Sequence, residues 1–337
     1  MTLTSLADIR QKLSNLPSAD MSATDKALAR DAVLTKPAGS LGKLEEIAVW
    51  AAGWQRRHPP VFNKPQIAVF AGNHGVCAKG VSAFPPEVTV QMVANFEAGG
   101  AAINQLANQY GAIFSVTPLD LDTPTKDFTE APAMDEQEFV SAFNSGWNKV
   151  AEEADFLIVG EMGIGNTTVA ATICAALLEG GGTEWAGPGT GVSQEGVNHK
   201  ATVIDEALAK HAAILEDPLQ VFQHLGGREL AAMAGAVLAA RFKNIPVILD
   251  GYVASAAMLP LFLVNNQFLD HCIVGHASAE PGHVKLLNRF GKSPILSLDM
   301  RLGEGSGAAV ALGIVQSAIA THTGMASFGE AGVSDKD

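Results

Sequence analysis

Residues 299–311 read "DMRLGEGSGAAVA" and set a single carboxylate, Glu304, inside a strip of glycines. Glycine in such a place lets a backbone come close to a ligand. The usual ligand of a glycine-rich loop is phosphate, which a carboxylate repels. Glu304 is therefore either an incidental surface residue or a base. In a partly apolar crevice a carboxylate loses hydration, and its pKa rises from about 4 towards neutrality, which suits general-base work. Gly303, Gly305 and Ala308 also satisfy a degenerate G-x-G-x-x-A dinucleotide pattern. That fingerprint needs a following strand with an acidic residue about 20 positions on, and only one helix and a tail follow here. A nicotinamide-dependent oxidoreductase is the alternative that a full fingerprint would support. A non-catalytic nucleotide-binding protein is the alternative that would tolerate loss of Glu304.

Other segments carry chemistry at similar places. "VGEMGIGNTTVAATICAALL" (159–178) runs from a strand through a glycine-rich turn into a helix. Gly163 and Gly165 permit close approach, and Asn166, Thr167 and Thr168 stand where free N–H groups and the helix dipole favour an anion. Ordinary helix capping explains the same residues equally well. No GxxxxGK[ST] loop occurs, which argues against nucleoside-triphosphate chemistry of that kind. "GPGTGVSQEGVNHK" (187–200) leads to Lys200, read as the start of a helix. A cation there opposes the dipole, so either a phosphate contact compensates or the lysine is simply solvated. "GHASAEPGHVKLL" (275–287) puts Ser278 after a strand, while His276 and His283 have no recognised metal spacing, so no metal is expected. In "FAGNHGVCAKGVSAFPPEVTVQMV" (70–93), His74 ends a strand. Phe84 and Met92 beyond it suit either a flat aromatic ligand or core packing.

These segments need a scaffold that gathers strand ends. Six short apolar runs, at 66–75, 112–120, 155–163, 246–252, 271–278 and 294–305, each end on small or polar residues. Helical stretches at 88–110, 166–180, 197–214, 227–242 and 306–321 separate most of them. Unbroken apolar runs alternating with helices predict an α/β fold, a mainly parallel six-stranded Rossmann-like sheet with helices on both faces. Ligands bind such sheets at the strands' carboxyl ends, where this chain concentrates its glycines. Residues 1–60 read as helices and, with 306–337, are expected to make a small helical domain beside the nucleotide-binding residues 61–305. The acidic, proline-containing stretch 120–140 reads as an excursion, and the last dozen residues as a loosely held tail.

Composition narrows the partners. At 337 residues the chain buries a sizeable core. A net charge of −13 without any basic run excludes a nucleic-acid surface, so an anionic ligand must be held locally. Cys77, Cys174 and Cys272 form no CxxC, which fits free thiols in a reducing compartment. The opening "MTLTSLADIRQKL" has charges where a signal peptide is apolar, and no uncharged run spans a membrane. A cytoplasmic location is expected.

Taken together and in order, "KPAGSLGKLE" (36–45), "NHGV" (73–76), "GEMGIGNTT" (160–168), "DGY" (250–252), "GHASAEPG" (275–282) and "RLGEGSGAA" (301–309) resemble the nicotinate-nucleotide–dimethylbenzimidazole phosphoribosyltransferase family. The resemblance covers roughly residues 20–330. It implies a homodimer that moves phosphoribose from nicotinate mononucleotide to a benzimidazole, without cofactor or metal, in assembly of the cobalamin lower ligand. It implies Glu304 as general base. Phosphate and nucleotide contacts are implied at Glu161, Gly163, Lys200, Gly251 and Ser278, to which the glycine-rich turn adds Gly165, Asn166 and Thr167. Phe84, Met92, Met162, Leu302 and Gly303 would line the base pocket. Phe84 and Met92 are bulkier than the small polar residue and amide of some members, which leaves the preferred base open.

Overall fold

The computed structural model describes residues 2–334. Its strands are β1 (Pro65–Ala71), β2 (Ile113–Pro118), β3 (Phe156–Met162), β4 (Val247–Leu249), β5 (Cys272–Ala277) and β6 (Pro294–Ser297). All pair in parallel, in the order β2-β1-β3-β4-β5-β6, so the expected six-stranded α/β sheet is present. Two runs give shorter strands than their apolar length. After Leu249 the chain turns at Asp250 into a helix, and after Ser297 it leaves the sheet, with Asp299 at a φ of 55°.

The helices are α1 (Leu6–Leu13), α2 (Met21–Asp31), α3 (Lys43–Trp54), α4 (Glu87–Glu97), α5 (Ala102–Tyr110), α6 (Glu136–Lys149), α7 (Asn166–Leu177), α8 (Gly181–Trp185), α9 (Gln194–Lys210), α10 (Pro218–Leu225), α11 (Arg228–Lys243), α12 (Tyr252–Val264), α13 (Pro281–Phe290), α14 (Ser306–Gly324) and α15 (Phe328–Ala331). Successive side chains of a strand point to opposite faces, and the two cores divide accordingly. Ala68, Phe70, Leu157, Val159, Val247 and Leu249 meet α6, α7, α11 and α12. Ile67, Val69, Phe156, Ile158 and Ile248 meet α3, α5 and α14.

Within the first sixty residues, α2 packs on α3 and α3 on α14, while α1 joins the other core. Ile9 and Leu13 of α1 are buried in the first core, and the Leu3 N–H donates to Asn144 Oδ1 of α6 at 3.1 Å. Ile47 and Ala51 of α3 enter the second core beside α14. The chain end is also better held than a loose tail. The Phe328 N–H donates to the Val33 carbonyl at 3.0 Å, Arg30 Nη2 donates to the Met325 carbonyl at 2.7 Å, and Ser327 with Glu330 forms a capping box for α15. Residues 335–337 lie outside the described residues.

Other departures have local causes. The helix expected over 88–110 is two helices, interrupted at Gly99 and Gly100, where Gly99 has a φ of 79°. The excursion 120–140 ends inside α6, whose start is a capping box between Asp135 and Glu138. The rest of it is pinned beside β1, where the Thr125 N–H donates to the Asn73 carbonyl at 3.0 Å. Helix α12, "YVASAAMLPLFLV", is buried around most of its circumference and so has no amphipathic period to read.

Helix α14 can lie on the sheet only because facing positions lack side chains. A Cβ at Gly307 would overlap the His276 ring at the end of β5. Gly307→Ala is expected to lower stability by about 1–3 kcal/mol, the usual range for overpacking. The check is a fall in the urea midpoint at unchanged slope.

Candidate active site

Strands β3, β4, β5 and β6 end on the same edge of the sheet, and the segments that follow them line a cavity open to solvent. Glu161, Met162, Gly163, Ile164, Asn166 and Thr167 line it from β3 and α7. Asp250, Gly251, Tyr252, Val253 and Ala254 line it from β4 and α12. His276, Ser278 and Glu280 come from β5 and its exit, Gly189 and Thr190 from the loop before α9, and Arg301, Leu302 and Gly303 from the entry to α14. The starts of α7 and α12 both face inwards. The first N–H groups of a helix have no partner within it, so paired helix starts form a ready anion site.

Glu304 is not an incidental surface residue. Gly303, Glu304 and Gly305 all adopt left-handed backbone, with φ of 88°, 64° and 83°. Glycine takes this conformation freely, whereas at Glu304 it is strained, and strain of this kind costs about 1–3 kcal/mol. The turn is fixed from both sides. The Glu304 N–H donates to the Glu161 carbonyl at 3.3 Å, and the Ala308 N–H donates to Asp250 Oδ1 at 2.9 Å. A Cβ at Gly160 would overlap the Glu304 carbonyl. The glycines on this strip and on β3 thus serve helix-to-sheet contact more than ligand approach. The Glu304 side chain is 5% exposed, and its Oε2 has no hydrogen-bond partner. Burial raises its pKa and the Asp250 charge adds to that, while the Ile103 N–H at the start of α5 opposes both. Glu304 is not among the residues lining the cavity, and its carboxyl meets the Ile103 N–H at the start of α5.

Two further carboxyls share this edge. Burial, followed by the charge of Asp250, holds the Glu161 carboxyl well above its ordinary range, against a hydrogen bond from the Asn166 amide. Asp250 Oδ1 also lies 3.4 Å from His276 Nε2. Positive charge gathers beside the loop before α9, with Glu280 among it. Lys200 Nζ donates to Thr167 Oγ1 at 3.2 Å and to the Gly187 carbonyl at 3.3 Å, and Arg301 Nη1 donates to the Gly189 carbonyl at 2.8 Å. Burial lowers the Lys200 pKa and Glu280 opposes the shift. A phosphate arriving there would complete the set of charges. His283 is neutral at ordinary pH, pushed down to about 4 by burial. Its Nδ1 accepts the Ser278 N–H at 2.9 Å, so it braces the loop. Among the described residues no group of three His, Cys, Asp or Glu side chains could hold a metal ion.

The structure brings most of the sequence candidates together. Glu161, Met162, Gly163, Asn166, Thr167, Gly251, Ser278, Leu302 and Gly303 all line the cavity. Gly165 caps α7 from beneath and meets Cys77 instead. Lys200 does not start a helix. It sits in the second turn of α9, 3% exposed, and reaches in behind Thr167. Phe84 and Met92 do not line this cavity: Phe84 is 49% exposed before α4, and half-buried Met92 packs in the apolar core that Met162 also enters. Asp250, His276, Glu280 and Arg301 were missed, although each lies inside a motif already quoted.

The chain matches a family described as phosphoribosyltransferase over residues 16–333. It is 55% identical over 332 residues, 98% of each chain, to nicotinate-nucleotide–dimethylbenzimidazole phosphoribosyltransferase of Cereibacter sphaeroides. It is 56% identical to the protein of that name from Ruegeria sp., over 99% of this chain and 98% of that one. The crystal structure of the protein of that name from Thermus thermophilus superposes with a TM-score of 0.86 at 37% identity, covering 94% of this chain and all of that one.

The raised Glu161 pKa has a consequence for stability. A folded-state carboxyl pKa above the unfolded value binds the extra proton in the folded state, so stability is lost as pH rises from the ordinary carboxyl range through the folded value. Glu161→Gln removes that loss. The variant is expected to melt higher than wild type at pH 8, by the equivalent of about 0.5–2 kcal/mol, with the gap closing towards pH 4.5. Melting curves across that range check it. A gap that widens towards acid would contradict the assignment.

Proposed function

The chain belongs to the nicotinate-nucleotide–dimethylbenzimidazole phosphoribosyltransferase family, and from that membership we propose how its site works. The enzyme transfers 5-phosphoribose from nicotinate mononucleotide to 5,6-dimethylbenzimidazole, giving α-ribazole 5′-phosphate and nicotinate for the cobalamin lower ligand. The observation that carries the site assignment is the strained Glu304, its carboxyl buried beside the cavity with Oε2 unpartnered.

Nicotinate leaves from a pyridinium and needs no acid. The nucleophile is harder to prepare, because a neutral benzimidazole must shed its N–H proton as its other nitrogen attacks C1′. One C–N bond forms, the bond to nicotinate breaks, and Glu304 takes the proton. Attack on the face opposite nicotinate converts the β-linked sugar into an α-linked product, so the two rings lie on opposite sides of the ribose. Met162 belongs both to the cavity wall and to the apolar core beneath α5. The acceptor ring accordingly lies on the Glu304 side of Met162, and the nucleotide in the cavity. Lys200, Ser278 and the starts of α7 and α12 hold the phosphate, which fixes C1′ for in-line attack. The proposal includes a homodimer working in the cytoplasm. Among the described residues no helix is long and apolar enough to cross a membrane.

Incubation with nicotinate mononucleotide and an equimolar panel of dimethylbenzimidazole, benzimidazole, adenine and cresol, read by mass spectrometry, is expected to give the dimethylbenzimidazole ribotide and free nicotinate. Nucleotide binding without any ribotide would overturn the assignment. Glu304→Gln is expected to bind nucleotide normally and lose about 10²–10⁴-fold in turnover, the usual range for a general base. Near-wild-type turnover would remove Glu304 from that role. Lys200→Ala is expected to raise the KM for the nucleotide about 10- to 100-fold, as loss of a charged hydrogen bond does. An unchanged KM would move the phosphate elsewhere.

A further inference from the structure

Four carboxyls stand in or against the cavity, and the reaction above employs one of them. The other three differ in what they are free to do. Glu161 is engaged by the Asn166 amide. Glu280 stands at the cationic end, where Lys200 and Arg301 both stabilise its charge. Asp250 sits between these extremes. It ends the central strand β4 and lines the cavity beside Gly251, while its charge reaches both Glu161 and Glu304. It is 2% exposed and cannot turn, because Oδ1 accepts the Ala308 N–H at 2.9 Å and faces His276 Nε2 at 3.4 Å.

Resting on the reading of nicotinate mononucleotide as substrate, we infer that Asp250 recognises the sugar, its carboxylate accepting a hydrogen bond from a ribose hydroxyl. The chemistry of the nucleotide leaves little else. Its phosphate and its nicotinate carboxylate are anions, and its pyridinium has no N–H. The 2′- and 3′-hydroxyls are its hydrogen-bond donors, and a carboxylate only accepts. Position agrees. The phosphate lies towards α12, Ser278 and Lys200 and the reacting carbon towards Glu304, so the sugar spans the stretch of wall that Asp250 occupies. The same Oδ1 that meets Ala308 fixes the entry of α14, which carries Glu304. One rigid carboxylate therefore references the sugar and the base to each other, as in-line attack requires.

The test compares kcat/KM for nicotinate mononucleotide with its 2′-deoxy and 3′-deoxy analogues, on wild type, Asp250→Asn and Asp250→Ala. Intrinsic differences in sugar reactivity cancel, because each substrate pair is compared across enzymes. The preference of wild type for the ribo-substrate over at least one analogue is expected to fall about 10- to 100-fold in Asp250→Ala and by a smaller factor in Asp250→Asn. Asparagine keeps an oxygen for the Ala308 N–H, so it carries the test if the alanine variant melts early. Preferences that match wild type for both analogues would overturn the inference, leaving Asp250 as a brace for α14. Absence of ribotide from wild type with the unmodified nucleotide would instead be a failure of the reaction assignment, so the two are told apart.

Discussion

One main-chain hydrogen bond, from the Glu304 N–H to the Glu161 carbonyl, joins the end of β3 to the entry of α14. It forms because the two backbones can touch. Gly160 and Gly307 present no side chain where the turn and helix come down on β3 and β5. Once seated, α14 buries Ala308, Ala309, Leu312 and Val315 against the sheet and closes the second core. That burial offsets the left-handed turn that Glu304 is forced to adopt. The Glu304 carboxyl is therefore held by the fold itself, with little freedom left to its own side chain.

The electrostatics of the site are local. A protein of net charge −13 attracts no anion from a distance. Lys200, Arg301 and the inward-facing starts of α7 and α12 set local positive charge within a negative molecule. Glu161, Asp250, Glu280 and Glu304 lie close among it. Burial keeps these carboxyls from being an unbroken row of charges, since it favours the protonated form of Glu161.

Much of this was legible before the structure. Strands buried on both faces read as unbroken apolar runs, and the polar residues that end them outlined the cavity. Glu304 stood out because a carboxylate among glycines has no ordinary explanation. Other features left no trace. A helix buried on all sides, such as α12, has no period, and α6 begins within an acidic stretch that reads as loop. Within a motif, sequence does not tell which side chain turns inwards, so Asp250, Glu280 and Arg301 were quoted without being chosen. Nearness in sequence to the end of β1 suggested Phe84 and Met92 for the crevice mouth; neither lines the cavity itself, and Met92 packs in the core that Met162 also enters. The depth of Lys200, one full turn into α9, was equally invisible.

The position of α14 in the chain has a consequence for biosynthesis. The helix that covers β3, β4 and β5 on their second face follows all six strands in chain order, and Glu304 immediately precedes it. A nascent chain that has emerged only as far as β6 holds a complete set of strands with one apolar face uncovered, the kind of surface on which unfinished chains aggregate. Synthesis of α14 seals that face and fixes Glu304 in the same event. A chain cut short before α14 leaves that apolar face bare and so is conspicuous to chaperones and proteases.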